Sequence, residues 1–120
     1  MQNKKGRTTR NELLKRQIER FLMKKNFNPL YVGFSYTVTI LNELLTKKYQ
    51  RFNLSSEIFP KVAKKYSANK HNIQRCLTFF FNANKKFYLP DYCSKNTTKG
   101  IIDYLYREAQ QDVFIKNFLV

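Results

Sequence analysis

Residues 56–86 constrain this chain more than any other segment, because apolar residues recur there at helical spacing in two runs separated by a short polar break. The first run is Glu57-Ile58-Phe59-Pro60-Lys61-Val62-Ala63-Lys64-Lys65-Tyr66, the break is Ser67-Ala68-Asn69, and the second run starts near Lys70 and continues past Phe81. At about 100° per residue from Ile73, the side chains of Ile73, Cys76, Leu77, Phe80 and Phe81 share an arc of about 140°. His71, Gln74, Arg75, Thr78, Asn82 and Lys85 fall on the other side. One face of the second helix is built to pack and the opposite face to hydrogen-bond.

Charge says what the polar face meets. The chain has 23 Lys and Arg against 8 Asp and Glu, a net charge of +15, which suits a polyanionic partner. Val62, Ala63, Tyr66, Ala68, Ile73 and Cys76 follow the spacing of a helix-turn-helix, with Ala63 the small residue expected at the helix crossing, where a larger side chain would push the helices apart. Ser67 stands where many such units have glycine. An ordinary helical hairpin is the plainer reading of the same pattern; the charge and the residue types on the polar face favour the helix-turn-helix.

The segment resembles the C-terminal DNA-binding output domain of the sporulation-initiation response regulator, the stage 0 sporulation protein A family. That family's aromatic-Pro-x-aliphatic-Ala-Lys-Lys-aromatic run is matched by Phe59-Pro60-Lys61-Val62-Ala63-Lys64-Lys65-Tyr66, and its Val-Glu-Arg-Ala-Ile segment by Ile73-Gln74-Arg75-Cys76-Leu77. Its Gly-Tyr-x-Tyr helix opening looks like Gly33-Phe34-Ser35-Tyr36, and with a weaker match around Thr98 to Ala109 the resemblance spans roughly residues 28–109. The chain departs from the family at Gln74, where the family has Glu, and at Thr78, where it has Arg. Both differences bear on the DNA sequence read more than on the fold. The resemblance implies an output domain without its receiver domain, since the residues before Asn28 are too few and too basic for an acidic phosphorylation pocket.

Length and periodicity predict one all-α domain of about six helices. Residues 1–8 read as a flexible basic arm with Lys4, Lys5 and Arg7, and residues 9–120 as the helical domain, with the helix-turn-helix at about 56–86. Thr9 and Glu12 form a capping-box signature before Leu14, Ile18, Phe21 and Leu22. A second helix is expected after Asn28-Pro29, with Pro in its first turn and Val38, Leu41, Leu44 and Leu45 inward. A loop is expected at 87–95, a helix at 98–111 with Ile101, Ile102, Leu105 and Tyr106 inward, and a short helix or docked tail at 113–120. Two cysteines and no secretory leader point to a reducing, cytoplasmic setting, and no apolar run is long enough for a membrane span. Cys76 reads as a small buried hydrophobe, and Cys93 as a loop residue.

Nothing in the sequence points to catalysis. One His and two Cys do not make a structural zinc site, three glycines form no phosphate loop, and the carboxylates are scattered. No metal, cofactor or enzymatic activity is expected. The expected function is sequence-specific binding of double-stranded DNA by a transcriptional regulator. Lys70, His71, Gln74, Arg75 and Thr78 would face base edges, with Arg75 the strongest candidate for a bidentate contact to guanine. Lys61, Lys64, Lys65, Ser67 and Asn69 would hold phosphates and set register. RNA polymerase or another copy of the chain on tandem sites are the further partners that the resemblance implies. Phe79, at the edge of the polar arc, is expected to pack inward against the long second helix, the alternative being that it faces a partner. A non-specific nucleic-acid binder, of RNA or DNA, and a basic protein-interaction module are the alternatives.

Overall fold

Thr9 opens the first helix as its spacing to Glu12 predicts. Its Oγ1 accepts the Glu12 N–H at 3.1 Å while Glu12 Oε1 accepts the Thr9 N–H at 2.9 Å, a reciprocal pair satisfying two helix-start donors. The computed structural model describes residues 9–84 and 97–119; the basic arm at 1–8, Lys85, and the loop at 87–95 with Cys93 lie outside the described residues. The helices are α1 (Arg10–Lys24), α2 (Val32–Lys47), α3 (Phe59–Lys65), α4 (Lys70–Ala83), α5 (Thr98–Gln111) and α6 (Val113–Lys116), and the described residues contain no strand. The chain is an all-α single domain. No helix among the described residues is long and apolar enough to cross a membrane.

α2 is the centre of the molecule. It begins at Val32 rather than just after Asn28, because Asn28 starts a turn instead: its Oδ1 accepts the Leu30 N–H at 2.9 Å, and its own N–H donates to Asn84 Oδ1 at 3.0 Å. The expected inward residues Val38, Leu41, Leu44 and Leu45 are buried, but so are Phe34, Tyr36, Thr37, Thr39 and Ile40, which point to other sides of the helix. A helix buried nearly all round must be surrounded, and α1, α3, α4 and α5 all pack on α2. The buried Thr37 hydroxyl donates to the Gly33 carbonyl at 2.7 Å, so its burial leaves no donor unmet. From α5, Tyr106 shares its hydroxyl hydrogen between the carbonyls of Leu44 and Tyr49 and so ties the end of α2 to the core.

α1, α2 and α3 end in one shared geometry. Asn26, Lys48 and Ser67 have φ of 72°, 53° and 54°, in the left-handed region. In each case the following N–H turns back to a carbonyl five residues earlier: Phe27 to Leu22 at 3.1 Å, Tyr49 to Leu44 at 3.2 Å and Ala68 to Ala63 at 2.8 Å. These are Schellman closures, each made without glycine. Ser67 therefore takes the conformation for which glycine is the usual residue, and the turn between α3 and α4 holds its shape despite the β-carbon.

The start of the helix-turn-helix differs from the expected run beginning at Glu57. A π-helical turn, Leu54–Ile58, leads directly into α3. Asn53 caps it, accepting the Ser56 N–H at 2.9 Å and donating its own N–H to Glu57 Oε1 at 2.8 Å. The wider turn has a cause in Pro60, which has no N–H to donate and whose ring would crowd the carbonyl of the residue four earlier in a regular helix. Toward the other end of the chain Val113–Lys116 forms a short helix, α6, capped by Asp112 and anchored by the buried Ile115.

Candidate nucleic-acid interface

The turn between α3 and α4 is built from backbone bonds that use Ala63. Its carbonyl receives the Ala68 N–H, and its side chain is only 6% exposed. Asn69 then caps α4 by accepting the Asn72 N–H at 2.9 Å. Ile73, Leu77, Phe80 and Phe81 are buried, as the arc predicts. Cys76 is half-buried rather than enclosed, because it lies at the edge of that arc and opens onto a surface groove.

Lys70, His71, Gln74, Arg75 and Thr78 are all exposed along α4. They offer a guanidinium, an ammonium, an imidazole, a carboxamide and a hydroxyl, a set of donors and acceptors suited to base edges and phosphates alike. Thr78 also meets α5, its Oγ1 lying 3.2 Å from the Thr98 Oγ1 at the start of that helix.

The five residues expected on phosphates have unequal freedom. Lys64 and Lys65 are exposed and make no ion pair among the described residues. Ser67 holds the left-handed position, and the Asn69 side-chain oxygen is engaged as the cap. Lys61 turns back toward the body: its Nζ is 2.8 Å from the Tyr49 hydroxyl and 3.0 Å from Glu43 Oε2. The hydrogen bond to Tyr49 and the one to Glu43 hold the Lys61 ammonium well above its ordinary pKa. Burial pushes the Glu43 carboxyl up, but the Lys61 hydrogen bond and the charges of Lys47 and Lys61 outweigh it, so its pKa is lowered. Lys61 is therefore a partly neutralised cation.

Phe79 corrects the expectation that it packs inward. It is 64% exposed, while Phe80 and Phe81 are buried. Three consecutive residues on a helix span about 200°, so a run of three phenylalanines was a signal that one of them must leave the core. Phe79 meets the Tyr31 ring edge-on, with centroids 5.9 Å apart, and borders a groove of about 520 Å³ whose other walls include Leu30, Val32, Arg75 and Cys76. The exposed stripe of α4 thus lies between two helix starts, that of α5 at Thr98 and that of α2 at Tyr31 and Val32.

No family model, curated protein or solved structure matches this chain. Its chemistry is read from its own residues. Among the described residues no three or more His, Cys, Asp or Glu side chains are grouped to hold a metal ion.

Proposed function

We propose that this protein is a sequence-specific double-stranded DNA-binding regulator that presents α4 to the major groove, and that it acts by binding rather than by catalysis. The observation that carries this reading is the composition and exposure of the α3–α4 unit. Residues 58–84 contain five Lys or Arg and no Asp or Glu, and the polar side of α4 is exposed opposite a side that buries Ile73, Leu77, Phe80 and Phe81.

The first turn of α4 sharpens the point. Lys70 and His71 stand there and no acidic residue does, although the helix dipole favours an anion at that end and disfavours a cation. Cations there make sense where a phosphate approaches, since a phosphate can use both the helix start and the side chains. The resemblance to the sporulation regulator's output domain supports the same reading, and tandem sites, self-association on DNA and contact with RNA polymerase belong to it as proposals.

Selection from a random duplex pool at about 0.15 M salt tests the function. Enrichment of one sequence bound far above scrambled duplex supports duplex reading. Equal binding to every duplex and to single strands supports the non-specific alternative, and no nucleic-acid binding at all overturns both. Affinity should also fall steeply with salt, with a log-log slope of roughly −3 to −5 if about four or five phosphates are neutralised.

A further inference from the structure

Phe79, Leu30 and Val32 make an apolar surface that continues the exposed stripe of α4. They are 64%, 89% and 59% exposed. Phe79 follows Arg75 by four residues, and the two side chains together border both grooves along α4, one shared with His71 and Gln74 and the other with Leu30 and Val32. The edge-on contact with Tyr31 supports the Phe79 ring from one side, and Phe80 and Phe81 already occupy the core positions below it. Its place on the surface is therefore built in.

Among the described residues neither groove has an acidic residue in its lining, and Arg75 lies between them. The charge calls for an anionic partner, and the exposed ring calls for an apolar group carried by that partner. In the major groove of a duplex the apolar group is the 5-methyl of thymine, for which phenylalanine is a suitable contact. We infer that Phe79, backed by Leu30 and Val32, contacts the 5-methyl group of a thymine near the base pair met by Arg75. One turn of helix separates the two side chains by about 6 Å along the axis, close to two base-pair steps of about 3.4 Å. The thymine then lies one or two positions from the guanine. This assignment rests on duplex reading by α4.

The test uses the full chain and the duplex obtained by selection. Replacing each thymine in turn by uracil removes only the methyl group and keeps the base pairing. At one position the parent should bind the uracil duplex about fourfold more weakly, the effect of one lost methyl contact. Phe79→Ala should bind the thymine and uracil duplexes equally, Phe79→Leu should restore part of the preference, and both variants should melt near the parent because the side chain is exposed. A selected duplex with no uracil-sensitive thymine, or the same thymine-to-uracil ratio in Phe79→Ala as in the parent, overturns the thymine contact and leaves duplex reading standing. Phe79→Ala that binds every duplex as the parent does also overturns it. Failure to select any duplex overturns duplex reading itself, and the thymine contact with it.

Discussion

Gly33 lets α2 approach α4 closely at Phe80. A β-carbon on Gly33 would fall inside contact distance of the Phe80 Cβ, 2.7 Å from its Cγ and 3.0 Å from the Cys76 carbonyl oxygen. The Phe80 Cβ and the Cys76 carbonyl belong to a packed helix and cannot swing aside as the tip of a long side chain could. The position of the exposed stripe of α4 relative to the rest of the protein is therefore set at Gly33.

Gly33→Ala should destabilise the fold by about 1–3 kcal/mol through overpacking, although alanine is the better helix former. Thermal unfolding gives the sign: a raised melting temperature would mean that the two helices can separate without penalty.

Ala63→Leu should act in the same direction at the other crossing, because Ala63 is enclosed where the turn folds back on α3. A loss of about 1–3 kcal/mol is expected, with weaker DNA binding as α4 is displaced. Circular dichroism melts and a binding titration on the same samples check both parts.

Ser67→Gly should stabilise the protein by about 0.5–1 kcal/mol. The left-handed φ of 54° penalises a β-carbon, and that relief should exceed the added chain freedom of glycine in the unfolded state. The measurement is the urea midpoint at unchanged m-value.

Arg75 and Lys64 separate reading from attraction. Arg75→Ala should cost about 1–3 kcal/mol on the selected duplex and relax preference at one base pair, while Lys64→Ala should weaken all duplexes alike and reduce the salt slope by about one. Arg75→Lys keeps the charge and loses the planar fork. A selected-to-scrambled ratio unchanged in Arg75→Lys would make Arg75 a phosphate contact.

Glu43 should make stability sensitive to acid. Burial raises its carboxyl, yet the Lys61 hydrogen bond and the charges of Lys47 and Lys61 bring the folded-state pKa below the ordinary 4.5. A lowered folded pKa means that the unfolded chain takes up the proton first as pH falls. The contribution is then present above about pH 4.5 and lost as pH drops through the folded value. In Glu43→Gln the stability difference from the parent should shrink below that window. The same substitution frees Lys61, so its DNA salt slope should steepen by up to about one.

What the sequence disclosed depended on distance along the chain. Leu14, Ile18, Phe21 and Leu22, like Ile73, Leu77, Phe80 and Phe81, are legible because helical periodicity is a local property and each helix has one buried side. The all-round burial of α2 was hidden, since only the placement of its neighbours puts Phe34 and Ile40 inside together. Lys61 looked like Lys64 and Lys65 in sequence; its partner Glu43 is 18 residues away on another helix. Cys76 and Phe79 depart from the helical-wheel expectation for one reason: both stand at the boundary between the apolar and polar arcs, where the neighbouring helix decides which side is covered.

The two helix starts that flank the α4 stripe carry a further consequence. α2 has no side-chain cap and no acidic residue in its first turn, and α5 likewise has no acidic residue there. Each helix start bears the equivalent of roughly half a positive charge from its aligned peptide groups. Part of any attraction for an anion above Arg75 and Thr78 therefore belongs to the main chain. It does not titrate, no lysine substitution removes it, and a variant stripped of every cation on α3 and α4 should still draw an anion more strongly to this side of the molecule than a featureless neutral surface would.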